Sequence, residues 1–269
     1  MVNLIRKEYD KITTLFEKDV FLYTMGKAGS NTISYSLESL GLSVSSKHYF
    51  SGDQQNFFTN KNSNFLGKIR KQFTRNYFAR LNDKIKVITL VRDPLARNLS
   101  MAFFALETLL YHTLGPHDGR NLKGNHTSLN EIINIGFEEQ INHEAPLTWF
   151  EEEFNYVLNL DVYQYPFDQE KGYSTIKKGN LEVLILKLEK LNSSESVIEN
   201  FLNLKSFRIL SANMSKNYWY ADLYKDFKKV YKPSQKYLDK MYQSRYCKHF
   251  YSPLEITDMY ASWQENNLK

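Results

Sequence analysis

Twice in its first 110 residues the chain runs an apolar, β-branched segment into an abrupt loop and then at once into a helical pattern, and this repeated unit constrains the fold more than any bulk property. Residues 20–24 (VFLYT) lead into Met25-Gly26-Lys27-Ala28-Gly29-Ser30. From Asn31 the spacing of Ile33, Leu37 and Leu40 predicts a helix that ends at Gly41. Residues 86–91 (KVITLV) are nearly continuous apolar, the pattern of a strand covered on both faces. Arg92-Asp93-Pro94 ends that strand, because proline has no amide hydrogen for a sheet, and residues 95–110 read as the next helix. Residues 43–50 supply another short strand, and residues 172–188 a hairpin turning at Lys178-Gly179-Asn180. Alternating strands and helices with buried strands predict an α/β fold, a parallel sheet with helices on both faces, whose ligand site lies beyond the strand C-termini.

The rest of the chain reads as a helical C-terminal region. Residues 111–127 carry no periodicity and are expected to form a long loop. Helices are expected at 128–140, 146–158, 195–203, 217–231 and 233–243, with a last one after Ser252-Pro253, where serine caps and proline takes the first helical position. A length of 269 residues suits one α/β domain spanning 1–269. No apolar run reaches the roughly 18 residues that cross a bilayer. Residues 1–19 mix both charge signs through their apolar positions, which predicts a short amphipathic helix and not a secretory signal. The one cysteine, Cys247, cannot form an intrachain disulfide, so a reducing, cytoplasmic location is expected.

A net charge of +5 and a pI near 8.9 suit an anionic ligand or surface without demanding nucleic acid, and no nucleic-acid partner is expected. Part of the excess is local: Lys61, Lys68, Arg70, Lys71, Arg75 and Arg80 precede the KVITLV strand. They are expected to form a solvated helix face. A rim that draws an acidic polysaccharide, or peripheral contact with a membrane surface, stays open.

Two stretches gather the chemistry of anion binding. The loop Gly26-Lys27-Ala28-Gly29-Ser30-Asn31-Thr32 stands between a strand and a helix N-terminus, where unpaired amide hydrogens and the helix dipole favour negative charge. Lys27 adds a full charge, and Ser30 and Thr32 add hydroxyl donors. The order differs from the nucleotide-triphosphatase loop, in which lysine directly precedes Ser or Thr. Arg92 follows the next buried strand, and Ser100 lies in the helix beyond it, so both can converge on a second anion at the same sheet edge. Arg97 is left to pair with Asp93 or to assist. Read alone, the loop could be a tight turn with Lys27 in solvent, and Arg92-Asp93-Pro94 a helix-start salt bridge.

Together, TMGKAGSNT and ITLVRDPLARNLS resemble the two motifs with which sulfotransferases bind 3′-phosphoadenosine-5′-phosphosulfate (PAPS). PLTWFEEEF, VYQYPFDQEKGY, LKLEKL, SKNYWYADLYKDFKK and KHFYSPLEI are similar to bacterial capsular polysaccharide synthesis sulfotransferases. The resemblance implies a P-loop-like α/β fold and metal-free transfer of a sulfuryl group from PAPS to a carbohydrate hydroxyl. It further implies that Gly26, Lys27, Ala28, Gly29, Ser30, Asn31 and Thr32 hold the 5′-phosphosulfate, and that Arg92 and Ser100 hold the 3′-phosphate. Lys27 would follow charge onto the bridging oxygen. Asn31 departs from the pattern, since many relatives carry a small hydroxyl residue there. A nucleotide or sugar kinase, or a non-catalytic relative that binds the nucleotide or a glycan, are the competing assignments.

An acceptor hydroxyl needs a base, and His48, at the end of the second strand, is the first choice. Glu151, Glu152 and Glu153 are rivals, and His112, His117 and His143 could touch the acceptor. Trp149, Tyr218, Trp219 and Tyr220 could stack on sugar rings, and Lys216 and Asn217 could close over the nucleotide.

Overall fold

The strands that carry the two motifs are neighbours in the sheet. In the computed structural model, which describes residues 10, 12–50, 65–114, 128–210 and 218–265, the strands are β1 (Val20–Tyr23), β2 (Val44–Lys47), β3 (Ile85–Val91), β4 (Tyr173–Lys178) and β5 (Leu181–Lys187). Among the described residues they form a five-stranded sheet ordered β2-β1-β3-β5-β4. β1 pairs in parallel with β2 and with β3, and β3 pairs in parallel with β5. The chain leaves β1 for β2 on one side and returns to β3 on the other, so strand order reverses between β1 and β3. In α/β sheets a crevice forms at such a reversal, outside the strand C-termini.

Helices flank the sheet: α1 (Ser30–Glu38), α2 (Phe65–Phe78), α3 (Pro94–Phe104), α4 (Leu106–Leu114), α5 (Leu129–Gln140), α6 (Ala145–Trp149), α7 (Tyr156–Leu158), α8 (Glu195–Leu202), α9 (Ala221–Val230), α10 (Gln235–Tyr242), α11 (Arg245–Phe250) and α12 (Pro253–Glu265). All of β1 and most of β3 are buried, as strands covered on both faces must be. Each fully buried Val, Leu or Ile contributes about 1.5–3 kcal/mol. No helix among the described residues is long and apolar enough to cross a membrane.

The expected hairpin forms β4 and β5, with β4 antiparallel on the edge of an otherwise parallel sheet among the described residues. Their tight turn places Gly179 at φ 59° and lets the Asn180 amide donate to Leu81 O at 2.6 Å and Asp83 O at 3.0 Å. Other details differ from expectation. β2 stops at Lys47, so His48, Tyr49 and Phe50 leave the ladder and turn toward the core and cleft. The helix expected over 95–110 breaks at Ala105 into α3 and α4, and α4 continues to Leu114. Leu40, counted on the apolar face of the first helix, is exposed beyond the end of α1. The segment 145–158 contains a π-helical stretch, Phe150–Asn155, between α6 and α7. α11, capped by Ser244, was not anticipated.

Candidate functional site

The loop after β1 is shaped by two left-handed residues, Lys27 at φ 69° and Gly29 at φ 102°. A Cβ at Gly29 would lie 2.5 Å from Leu188 Cδ1, so this position has both a backbone and a packing reason to be glycine. Gly29 also occupies the N-cap of α1, where no side chain accepts from the first-turn amides among the described residues. Those amides, with no acidic residue in the first turn, leave the positive end of the helix uncompensated. Ala28 and Ser30 are buried, Thr32 is half-buried and Asn31 is exposed.

Two arginines from the next unit hold the back of this loop. Arg92 Nη1 donates to Lys27 O at 2.7 Å, and Arg97 Nε donates to Gly26 O at 3.0 Å. In a trans peptide the carbonyl and the following amide hydrogen point opposite ways. Drawing these carbonyls toward the arginines therefore turns the amide hydrogens of Lys27 and Ala28 to the opposite side of the loop. Tyr246, fully buried on α11, secures Arg92 by accepting from its amide and donating to its carbonyl, both at 2.9 Å.

Arg97 does not pair with Asp93. The Asp93 carboxylate caps α3 by accepting from Leu95 N at 2.9 Å and Ala96 N at 3.2 Å, and it accepts from Tyr242 Oη at 3.1 Å. Arg97 instead turns to the loop, giving Nη1 to Asn98 Oδ1 at 3.0 Å, while its buried Nη2 has no partner among the described residues. Its guanidinium is fully buried, which disfavours its charge, and no carboxylate among the described residues pairs with it. Ser100 is half-buried one turn further on, on the same face of α3 as Arg97.

Lys27 completes a cluster of three cations. Its ammonium lies 4.4 Å from the centroid of Phe104 and 5.9 Å from that of Tyr218. Burial, then the charges of Arg92 and Arg97, lower its pKa from 10.5 to about 8. Positive charge is thus concentrated beside helix-end amides that no described side chain caps and a guanidinium nitrogen without a partner among the described residues, a donor set suited to a multiply charged oxyanion.

His48 follows the end of β2 and is half-buried, with Nδ1 2.7 Å from Thr24 O just past the end of β1. A carbonyl can only accept, so Nδ1 carries the hydrogen and the lone pair of the neutral ring is on Nε2. The His48 carbonyl accepts from Trp149 Nε1 at 2.9 Å.

The rival bases are placed otherwise. Glu153 is buried and fully engaged: Oε1 accepts from Tyr23 Oη at 2.9 Å and Phe50 N at 2.7 Å, and Oε2 pairs with Lys71 at 2.9 Å. Glu151 pairs with Arg245 at 2.8 Å, and the Glu152 carbonyl accepts from Lys71. His143 packs on Phe137, bonds Tyr237 Oη at 2.8 Å, and has its pKa lowered to about 4 by burial. His112 is exposed on α4. Trp149 is core and Tyr220 nearly so, whereas Trp219 is exposed. Lys61, His117, Lys216 and Asn217 lie outside the described residues. Of the basic run, Lys68 and Arg80 are exposed, while Lys71 turns inward to Glu153 and Arg75 lies over the Tyr156 ring.

Three site residues escaped sequence reading: Arg97 as the holder of Gly26, Tyr246 as the holder of Arg92, and Glu189. The Glu189 carboxylate accepts from Asp93 N at 2.8 Å and Tyr251 Oη at 3.2 Å, and burial raises its pKa. Arg97 left one signal, a charged residue among the apolar positions of a buried helix.

The fold and site define an α/β protein with a cationic crevice at a strand-order reversal. Residues 123–252 match the family model described as "Putative capsular polysaccharide synthesis protein". The match covers just under half of the chain and includes Glu189, Tyr218, Trp219, Tyr242 and Tyr246. It stops short of the 26–32 loop and of Arg92, Arg97 and Ser100. No curated protein and no solved structure matches the chain.

Proposed function

We propose that the chain is a sulfotransferase of capsular polysaccharide synthesis, moving a sulfuryl group from PAPS to a carbohydrate hydroxyl. The observation that carries this is the cluster of Lys27, Arg92 and Arg97 at the ends of two adjacent parallel strands, with one guanidinium nitrogen buried and unpartnered among the described residues. Such a cluster is costly unless an anion completes it. A donor with phosphate groups at both ends of one ribose suits a crevice with a loop on one side and an arginine and a helix hydroxyl on the other.

In this scheme the amides of the 26–32 loop and Lys27 bind the 5′-phosphosulfate, and Arg92 and Ser100 take the 3′-phosphate. His48 Nε2 accepts the acceptor's hydroxyl proton as that oxygen forms its bond to sulfur. The bond from sulfur to the phosphate oxygen breaks on the opposite side, in line, and its electron pair stays on that oxygen beside the Lys27 ammonium. The products are a sulfate ester, the nucleoside bisphosphate PAP and protonated His48. Cytosolic, peripheral action on membrane-borne glycans belongs to the same proposal.

The test is incubation with ³⁵S-labelled PAPS and fragments of capsule or lipopolysaccharide, followed by tracking label into glycan. Transfer that disappears in Lys27→Ala supports the assignment. Turnover of ATP with magnesium, and none of PAPS, would replace it with a kinase.

A further inference from the structure

Phe104 and Trp219 flank the Lys27 end of the crevice, and the scheme above gives neither of them a task. Phe104 is 53% exposed and Trp219 67% exposed, although rings of this size are usually covered. Trp219 is not loosely held. It packs edge-on against Tyr220 at 5.7 Å, Tyr218 stacks on Tyr220 at 5.0 Å, and Tyr220 in turn lies 6.2 Å from buried Phe103. The break between α3 and α4 at Ala105 opens a cavity of about 180 Å³ bounded by Phe104, Glu107, Thr108 and Trp219.

We propose that Phe104, Trp219 and Glu107 form a subsite for an uncharged hexopyranose. The C–H face of such a ring packs on aromatic faces while its hydroxyls keep polar partners. Glu107 and Thr108, both exposed on the first turn of α4, supply an acceptor and a hydroxyl at the edge of the cavity. The Glu107 carboxylate at the edge of the cavity opposes a uronic acid or a sulfated sugar. Since the Lys27 ammonium already rests 4.4 Å from the Phe104 centroid, a sugar stacked on that ring lies beside the 26–32 loop. Its role as the acceptor rests on the sulfuryl-transfer assignment, whereas its binding does not.

The chain has three tryptophans, of which Trp149 and Trp263 are 1% and 4% exposed, so acrylamide quenching of the full chain reads Trp219. Methyl β-glucopyranoside, methyl β-galactopyranoside and the corresponding methyl glucuronide are compared, with PAP present. At least one neutral glycoside is expected to lower the quenching constant at least twofold, and the glucuronide to leave it unchanged. In Phe104→Ala the protection is lost. Saturation-transfer NMR is expected to show contact with the neutral sugar in Trp219→Phe and none in Trp219→Ala. Calorimetry with PAP on the Trp219→Ala protein monitors the nucleotide site separately. No protection by either neutral sugar, equal protection by the glucuronide, or protection that survives Phe104→Ala overturns the subsite even where PAP binds. Protection without PAP binding keeps the subsite and removes the sulfotransferase assignment.

Discussion

At Lys27, burial and two neighbouring guanidiniums bring the ammonium pKa down to about 8 from 10.5. Between those values the unfolded chain holds a proton that the folded chain sheds, so this group's contribution to stability rises with pH through that window and is at its worst below pH 8. Lys27→Met is accordingly expected to raise the melting temperature at pH 7, by about 2–4 °C per kcal/mol relieved, with a smaller gain at pH 10. Thermal denaturation at the two pH values checks this, and a gain independent of pH would mean that the ammonium is not strained. Stability given up at a charged residue is the usual mark of a working site. His48 makes a complementary case, because its Nδ1 is already committed to Thr24 O at 2.7 Å. His48→Asn can keep that donor and lose the proposed base. Transfer is expected to fall about 10²–10⁴-fold while PAP affinity stays as it was, read by initial rates and calorimetry on the same preparation.

Among the elements, the loop-to-helix junctions do the positioning, and glycine decides one of them. Gly29 and Gly41 both have positive φ, 102° and 81°, but a Cβ at Gly29 meets Leu188 Cδ1 at 2.5 Å and one at Gly41 meets nothing within 4 Å. In urea denaturation Gly41→Ala is expected to cost about 1–2 kcal/mol of backbone strain, and Gly29→Ala measurably more, because Leu188 must also move. Equal costs would show that the loop is not packed as described. Both strand-loop-helix units were legible in the sequence because buried parallel strands are continuous apolar runs and because Gly and Pro end them sharply. The triplet Glu151-Glu152-Glu153 was not. A π-helical stretch shifts the phase of the helix, and 3.6-residue periodicity gives no means of choosing which of three consecutive carboxylates turns inward to Tyr23 and Lys71. The antiparallel β4 was legible as half of a hairpin but not as an edge, since pairing of β5 with β3 is a long-range choice. Arg97 could be placed on its helix from sequence, but not its hold on Gly26 O, which depends on how two loops from separate units meet.

Over the whole molecule, the C-terminal helices close around the sheet edge and supply Tyr242 to Asp93 and Tyr246 to Arg92. Their attachment depends partly on Lys187, at the end of β5, whose side chain is fully buried and pairs with both oxygens of Glu255 on α12 at 2.8 Å. Glu255→Ala removes the carboxylate while Lys187 Nζ still donates to Gln169 O at 3.0 Å, and is expected to cost about 1.5–3 kcal/mol, most of it recovered when Lys187→Met is added. Denaturant midpoints for the single and double variants decide the point, and additive losses would refute the coupling. The central claim is that the Lys27, Arg92 and Arg97 cluster is a site for one doubly phosphorylated nucleotide. Titration calorimetry with PAP at pH 8, in two buffers of different ionisation enthalpy, measures it most directly. The expected result is one site per chain with net proton uptake as Lys27 regains its charge, and at least tenfold weaker binding in both Lys27→Ala and Arg92→Ala. Binding without proton uptake and indifferent to either substitution, or no binding at all, would contradict it.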